Sequence, residues 1–542
     1  VNTAQVTGPR ATLRAALPGL LLATLLLVPF LDKAFTIDDT VFLLEARHAL
    51  ADPLHPTAFD FPWNTRPERI SAIVPTGPLM AWLLVPAVSS AHPEVVAHVL
   101  QLAMVLATVL ATVALALRLG LSEMRASASG VLVAVTPAVL GMAGTAMPDV
   151  PAMALGAIGL ERLVAWRQDG KVHQAFFAAV LLGLAPLART HLLALLGVGF
   201  LLVVPNPLSR QAWRDASASL FAPLAAAPVL TASVILVTRD PSPGGGSIAM
   251  AAAGLSSLAR IPPNLVAFGV HWGLAVPFVL PWMWLRWRHV VARPGLLAGS
   301  LAAAVVLVHL ARPAGASWIL VPLVGASLAA FSDVLLEAVH HRDGTQLTLG
   351  LWLLLALPAA VYIHLPAKYL LPSIPAAAIL VARHLRSAPA SRAALVVTAS
   401  LSALLGVAIL RADATFAGLG RDAARDLIAP EVSRGRRVWY VGHWGFQWYA
   451  EQAGGRSFPN EPALLREGDL VVSCRNCEPL FDVGRIEGVK PIRELLHAAP
   501  TGRVMDKPSG AGFFSNSWGF LPWTFGDGLL DAFDVYEVSA RD

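Results

Sequence analysis

The sequence predicts a polytopic α-helical membrane protein with a C-terminal extracytoplasmic α/β domain. Three observations carry that class. The 542 residues are 56% hydrophobic and only 14% charged, with a mean hydropathy of +0.62, far from the balance of a soluble protein of this size. Apolar runs long enough for about 30 Å of hydrocarbon recur along most of the chain. From about residue 411 the pattern changes: charges rise and apolar runs shorten.

Arg10 and Arg14 precede Ala15–Leu31, which reads as a retained first span because no small-residue cleavage site follows it. The further apolar segments are Thr76–Ser90, Glu94–Leu117, Ala126–Ala146, Val150–Trp166, Val172–Ala188, His191–Val204 and Ala216–Val237. Pro263–Leu285, Leu296–Leu310, Ala316–Leu336, Leu347–Ile363, Lys368–Ala382 and Arg392–Leu410 complete the series. If all of them crossed, the arginine-rich loops would alternate sides. Thr76–Ser90 is short, opens on Thr-Gly-Pro and contains Pro86, so it is assigned to the interface. About thirteen spans then remain, and nearly every arginine cluster lies on the side of the N-terminus, as the positive-inside rule requires. The expected location is a bacterial inner membrane, with the N-terminus cytoplasmic and the C-terminal domain extracytoplasmic.

This topology gives a transmembrane module over 1–410, with an outer loop at 32–92 carrying interfacial helices, and a soluble domain over 411–542. In the latter, Asp422–Ile428 and Phe446–Gln452 read as helices, and Arg437–Val441 and Asp469–Ser473 as strands. No Rossmann or Walker fingerprint is present. Gly244-Gly245-Gly246 lacks the Lys-Ser/Thr of a phosphate loop and reads as a flexible connector. The net charge of +5 is spread over short loops, which fits topology signals and anionic membrane lipids and excludes a nucleic-acid stripe. Cys474 and Cys477 form a Cys-Arg-Asn-Cys motif, read as a local disulfide or inert thiols ahead of redox chemistry or half a zinc site. His271, His309 and His364 read as packing residues, so no metal site is assigned.

The outer face collects the residues suited to chemistry. Asp38 and Asp39 follow the first span, Asp149 lies between Pro148 and Pro151, and Arg189, Lys368 and Arg239 fall on the same side. Each has a plainer reading. The acids can cap helices, Arg189 can snorkel, and Lys368-Tyr369 can anchor a span at the interface. Their shared face favours function: a carboxylate can take a proton from a hydroxyl, and a cation can stabilise a departing phosphate. The rings from Trp439 to Tyr449 and from Trp518 to Phe525 suit sugar stacking, a core, or the bilayer surface.

Phe35-Thr36-Ile37-Asp38-Asp39, Asp52-Pro53-Leu54-His55-Pro56 and Pro78-Leu79 are similar to the first outer loop of GT-C membrane glycosyltransferases. The nearest branch is glycosyltransferase family 39, with the protein O-mannosyltransferases and aminoarabinose lipid A transferases. Met147-Pro148-Asp149-Val150-Pro151 resembles that group's second acidic motif, and Lys368-Tyr369-Leu370-Leu371-Pro372 its Arg/Lys-Tyr-x-Leu-Pro motif. Val441-Gly442-His443-Trp444-Gly445-Phe446-Gln447 resembles a patch in bacterial members' C-terminal domains.

The resemblance implies an inverting glycosyltransferase that uses a polyprenyl-phosphate-linked sugar as donor substrate, with no cofactor assigned and metal dependence left open. Asp38 would act as base or position the acceptor, with Asp39 supporting it and Asp149 shaping the site. Lys368 and Tyr369 would meet the lipid phosphate; Arg189 joins them by its expected location. The acceptor class, whether protein, lipid or glycan, stays open, as does the sugar. Two other classes compete. A transporter or flippase for lipid-linked sugars would place ionisable groups near the membrane midplane. A non-catalytic scaffold would use the outer domain to bind a partner.

Overall fold

Residues 8–62, 67–73, 77–240, 258–312, 317–386, 388–459, 464–477 and 481–539 are described by the structure, a computed structural model. Gly244-Gly245-Gly246 and Val74-Pro75-Thr76 lie outside the described residues. The chain folds as a multi-pass helical bundle with a strand-containing C-terminal region. Among the described residues, seven helices are long and apolar enough to cross a membrane, or up to nine with two bent pairs, Glu123–Ala134 with Pro137–Ala143 and Leu258–Leu274 with Val279–Val291. Asp149–Asp169, Val172–Ala188, Thr190–Val203 and the Ala367–Ser373/Ile374–His384 pair complete the set of segments expected to span. They fall short on length or carry charges, so hydropathy and length alone do not count them.

The first helix, Pro9–Leu27, shows how the bundle is built. Leu13, Leu17, Leu21 and Leu25 form an exposed i, i+4 stripe. The opposite face presents Ala15, Ala16, Gly19 and Ala23, all buried. A Cβ on Gly19 would come within 2.8 Å of the Gly130 backbone. Large residues thus face the lipid while small ones let two backbones meet, the packing logic of helices without a hydrophobic driving force between them.

Within Thr76–Ser90, the segment expected at the interface, the described residues form the helix Leu79–Val88, packed against the helix Asp39–Ala49. The helix opening at Pro389 runs unbroken to Ser433, including a π-turn at Ala424–Ile428. The composition change at residue 411 therefore falls inside a helix, and the first strand begins only at Val438. A five-stranded mixed sheet follows, in the order Arg456–Ser457, Val438–Val441, Leu470–Cys474, Leu529–Val538, Val489–Ala498. Every residue of Val438–Val441 and Leu470–Cys474 is buried, as expected of strands covered on both faces.

The C-terminal region grips the loop before Asp38. The Phe35 amide donates to the Tyr449 hydroxyl (2.9 Å), which donates to Glu94 (2.8 Å). The Thr40 hydroxyl donates to the Trp444 carbonyl. A Cβ on Gly445 would lie 1.9 Å from the Phe35 carbonyl oxygen, so only glycine permits this approach. Ile37 and Trp444 both adopt positive φ (44° and 59°). For a β-branched residue that conformation costs about 1–2 kcal/mol, which the surrounding contacts must hold in place.

Candidate active site at one mouth of the bundle

Asp38 occupies the position before the Asp39–Ala49 helix, yet its side chain makes no capping hydrogen bond. It forms an ion pair with Lys368 instead, Oδ2 to Nζ at 3.2 Å, across 330 positions of sequence. The lysine side chain is 4% exposed and the aspartate 34%. Lys368 is therefore a buried partner here rather than an interfacial anchor, and its carboxylate neighbour keeps a path to solvent.

Asp149 likewise makes no cap hydrogen bond. Arg189 clamps it in bidentate fashion, at 3.0 and 2.7 Å. The pair is almost buried, at 13% and 2% side-chain exposure. A break in the helical run makes this possible: Val172–Ala188 ends at Arg189, whose backbone is extended (φ −144°, ψ 109°). Tyr369 lies beneath, its ring 6.0 Å from the Arg189 guanidinium and 5.2 Å from His191. Tyr362 and His364 add rings at 6.4 and 6.0 Å from Tyr369. Arg239 is exposed and shares no ion pair with these groups among the described residues.

The two members of the aspartate doublet have different surroundings. Burial opposes ionisation of Asp38, but Lys368 and then Arg189 outweigh it and hold its carboxyl below the ordinary value. Asp39 is fully buried and spends both oxygens on backbone. It accepts from the Thr36 amide at 2.8 Å and the Ala146 amide at 2.7 Å. Burial pushes its carboxyl up to about 7, with Lys33 pulling the other way. Asp39 thus ties the 34–38 loop to the turn that presents Asp149. Behind it, Lys33 and Asp413 form a buried pair at 2.8 Å, and the Thr36 hydroxyl donates to Asp413 at 3.3 Å.

Sequence reasoning missed several participants. Glu45 lies seven residues after Asp38, on the same helix face, fully buried, with neither carboxyl oxygen hydrogen-bonded. Burial raises its carboxyl well above the usual range, and Arg189 is the nearest opposing charge. The i, i+7 spacing from Asp38 was the available signal. Ser515 and Asn516 had none. Ser515 pairs with His364 at 3.0 Å, and Asn516 accepts from the Leu365 amide at 2.8 Å while donating to Asn264. They fix the turn that leads into Lys368.

In the C-terminal sheet, Cys474 and Cys477 are bonded to each other, so the motif is a local disulfide. Asp531 lies 3.4 and 3.8 Å from the two sulfurs. This is the metal-like grouping found among the described residues, but its sulfurs are already used.

No protein-family model matches the chain, and neither does any curated protein. Among solved structures it is similar to the Archaeoglobus fulgidus oligosaccharyltransferase tethered to an acceptor peptide with an NVT sequon. That match has TM-score 0.43 and 12% identity over 83% of this chain. ArnT from Cupriavidus metallidurans bound to undecaprenyl phosphate gives TM-score 0.42 and 13% identity, covering 86% of this chain and 94% of that one. The mycobacterial arabinofuranosyltransferase AftD gives TM-score 0.40 and 15% identity over 99% of this chain and 42% of that one. This chain spans 64% of the oligosaccharyltransferase it matches.

Proposed function

We propose that the protein is a glycosyltransferase that moves a sugar from a polyprenyl-phosphate donor to an acceptor hydroxyl at the outer membrane face, with inversion at the anomeric carbon. The observation that carries this reading is the Asp38–Lys368 ion pair: a carboxylate with access to solvent, held by a buried cation from a remote segment. Beside it stands a second cation, Arg189, balanced by Asp149.

The charges explain how such a site would work. At rest, two carboxylates balance two cations, and Lys368 keeps Asp38 a weak base. A lipid-linked phosphate entering the site competes for Lys368 and Arg189. Guanidinium and ammonium groups bind phosphate oxygens well. As Lys368 turns to the phosphate, the Asp38 carboxyl rises in pKa and becomes a better proton acceptor. The acceptor hydroxyl then attacks the anomeric carbon while Asp38 takes its proton. The bond from that carbon to the phosphate oxygen breaks, and the electron pair leaves with the phosphate, stabilised by the two cations. Asp39 and Asp149 position the reacting groups, and Tyr369 supports the guanidinium from below.

The test is Asp38→Asn in the purified full-length chain, supplied with a panel of polyprenyl-phosphate sugars and assayed for released lipid phosphate. Loss of a general base costs about 10²–10⁴-fold. The expected result is a loss in that range in a variant that still folds, with a lowered thermal midpoint because the buried Lys368 ammonium loses its partner. Wild-type turnover by the variant would overturn the assignment.

A further inference from the structure

Three arginine-bearing connections meet at the end of the bundle opposite Asp38. Lys368 and Arg383 lie on the consecutive helices Ala367–Ser373 and Ile374–His384, so roughly 25 Å of helix separates the two mouths. Arg125 comes from the helix Glu123–Ala134, and Arg286, Arg288 and His289 from Val279–Val291. Arg383, His384 and Arg386 close the ring.

All of these but Arg288 wall a cavity of about 220 Å³, lined by Arg125, Arg286, Arg383, Arg386, His289 and His384, with no acid among its lining residues. An adjoining cavity of about 310 Å³ shares His289, His384 and Arg386 and opens onto Trp284 and Trp287. Those indoles are 46% and 60% exposed, beside exposed Leu280 and Val291.

Some of the charge is already compensated. Arg286 pairs with Asp333 at 3.2 Å and Glu337 at 2.6 Å, and Arg383 holds Asp343 at 2.7 and 3.2 Å. Arg125, Arg288 and Arg386 form no ion pair among the described residues. The positive-inside rule explains the sign of the charge at this end. It does not explain why segments far apart in sequence turn their guanidiniums into one cavity with no acid among its lining residues.

We propose that this pocket binds the phosphate headgroup of an anionic glycerophospholipid from the adjacent leaflet, with its acyl chains against Trp284 and Trp287. Guanidinium forks match phosphate oxygens in geometry and charge. Basic pockets between spanning helices suit anionic headgroups. The second cavity selects a lipid over a soluble phosphate, because its outer wall is indole and aliphatic surface, where interfacial aromatics gather in membrane proteins.

The experiment is native mass spectrometry of the full-length chain in detergent, titrated with phosphatidylglycerol or phosphatidylcholine. One phosphatidylglycerol should be retained at least tenfold more tightly than phosphatidylcholine, and retention should weaken as ionic strength rises. Removing two cations through Arg125→Gln with Arg386→Gln should weaken it on the order of 30-fold, from about 1 kcal/mol per basic residue. Equal retention of the two lipids would overturn the proposal, as would salt-independent binding. So would full displacement by millimolar inorganic phosphate, which would assign the pocket to a soluble anion. A folded double variant that retains phosphatidylglycerol as well as wild type would overturn it too. The salt and phosphate arms use the unaltered protein, so they decide the matter even if the variant fails to fold.

Discussion

The two mouths of the bundle treat their arginines in opposite ways. At one, Arg189 is buried and its guanidinium fork is filled by Asp149. At the other, Arg125 and Arg386 line a cavity with no carboxylate against them. In the proposed reaction the closed pair would be a reserve, its cation handed to the donor phosphate and its acid holding it in place until then. An open cluster is already poised for an anion. The first mouth is also covered by the C-terminal region through Gly445, Tyr449 and Asn516, which fixes its loops. The second lies beside the exposed Trp284 and Trp287.

The sharpest way to break this comparison is to remove one arginine from each mouth. Arg189→Met leaves Asp149 buried and unpaired, and breaking a buried ion pair costs about 3–5 kcal/mol. Turnover should fall by at least ~100-fold, because a cation proposed to meet the donor phosphate is also lost. Arg125→Met should stay within about 0.5 kcal/mol of wild type, because this partly exposed side chain has no ion pair to lose among the described residues. Thermal midpoints of both variants, with released lipid phosphate as the activity readout, check this. Equal destabilisation by the two variants would erase the distinction between the mouths.

Much of the first mouth was legible in the sequence. Asp38, Asp149, Arg189 and Lys368 were placed on one face by loop charge alone, and the structure brings them together in two ion pairs. What the sequence could not reveal is who pairs with whom, because side-chain partners 330 residues apart leave no local pattern. Nor could it reveal how Asp39 would support Asp38: its two oxygens accept from the Thr36 and Ala146 backbone amides. In the C-terminal region the short strands and the Trp444–Gln452 helix were readable from local runs. The ten-residue strands Val489–Ala498 and Leu529–Val538 were not, because polar residues interrupt their alternation. The converging arginines of the second mouth were visible as topology signals, but not as one pocket.

A second measurement sharpens the role of the covering region. Asp531 is 2% exposed and sits against the disulfide, whose sulfurs carry no proton to donate. The neutral carboxyl can donate its own proton to them, and burial pushes it up to about 7. The folded state therefore binds a proton that the unfolded chain releases near pH 4. Stability contributed by that proton is fully present below about pH 4 and is lost as pH rises through about 7, at no more than ~1.4 kcal/mol per pH unit. The thermal midpoint of the full-length chain, taken relative to that of Asp531→Asn, should therefore fall between pH 5 and pH 7.5. Asp39, raised for the same reason, acts in the same direction. A difference between Asp531→Asn and wild type that stays constant with pH would place the titration elsewhere.

The smallest effect concerns Glu45, the carboxyl at the first mouth that has no hydrogen-bond partner. If the closed-pair picture is right, Arg189 is saturated by Asp149 and offers Glu45 only a distant charge. Glu45 then stays protonated in its apolar surroundings. Gln has nearly the same shape and is also neutral, so Glu45→Gln should shift stability by less than about 1 kcal/mol. An ionised Glu45 sharing Arg189 with Asp149 would behave differently. Its replacement would break a buried charge interaction and cost about 3–5 kcal/mol. A thermal midpoint within a few degrees of wild type supports the two-pair arrangement. A large drop would mean that Arg189 serves two acids at once, so the mouth would hold excess negative charge and would repel the phosphate it is proposed to bind.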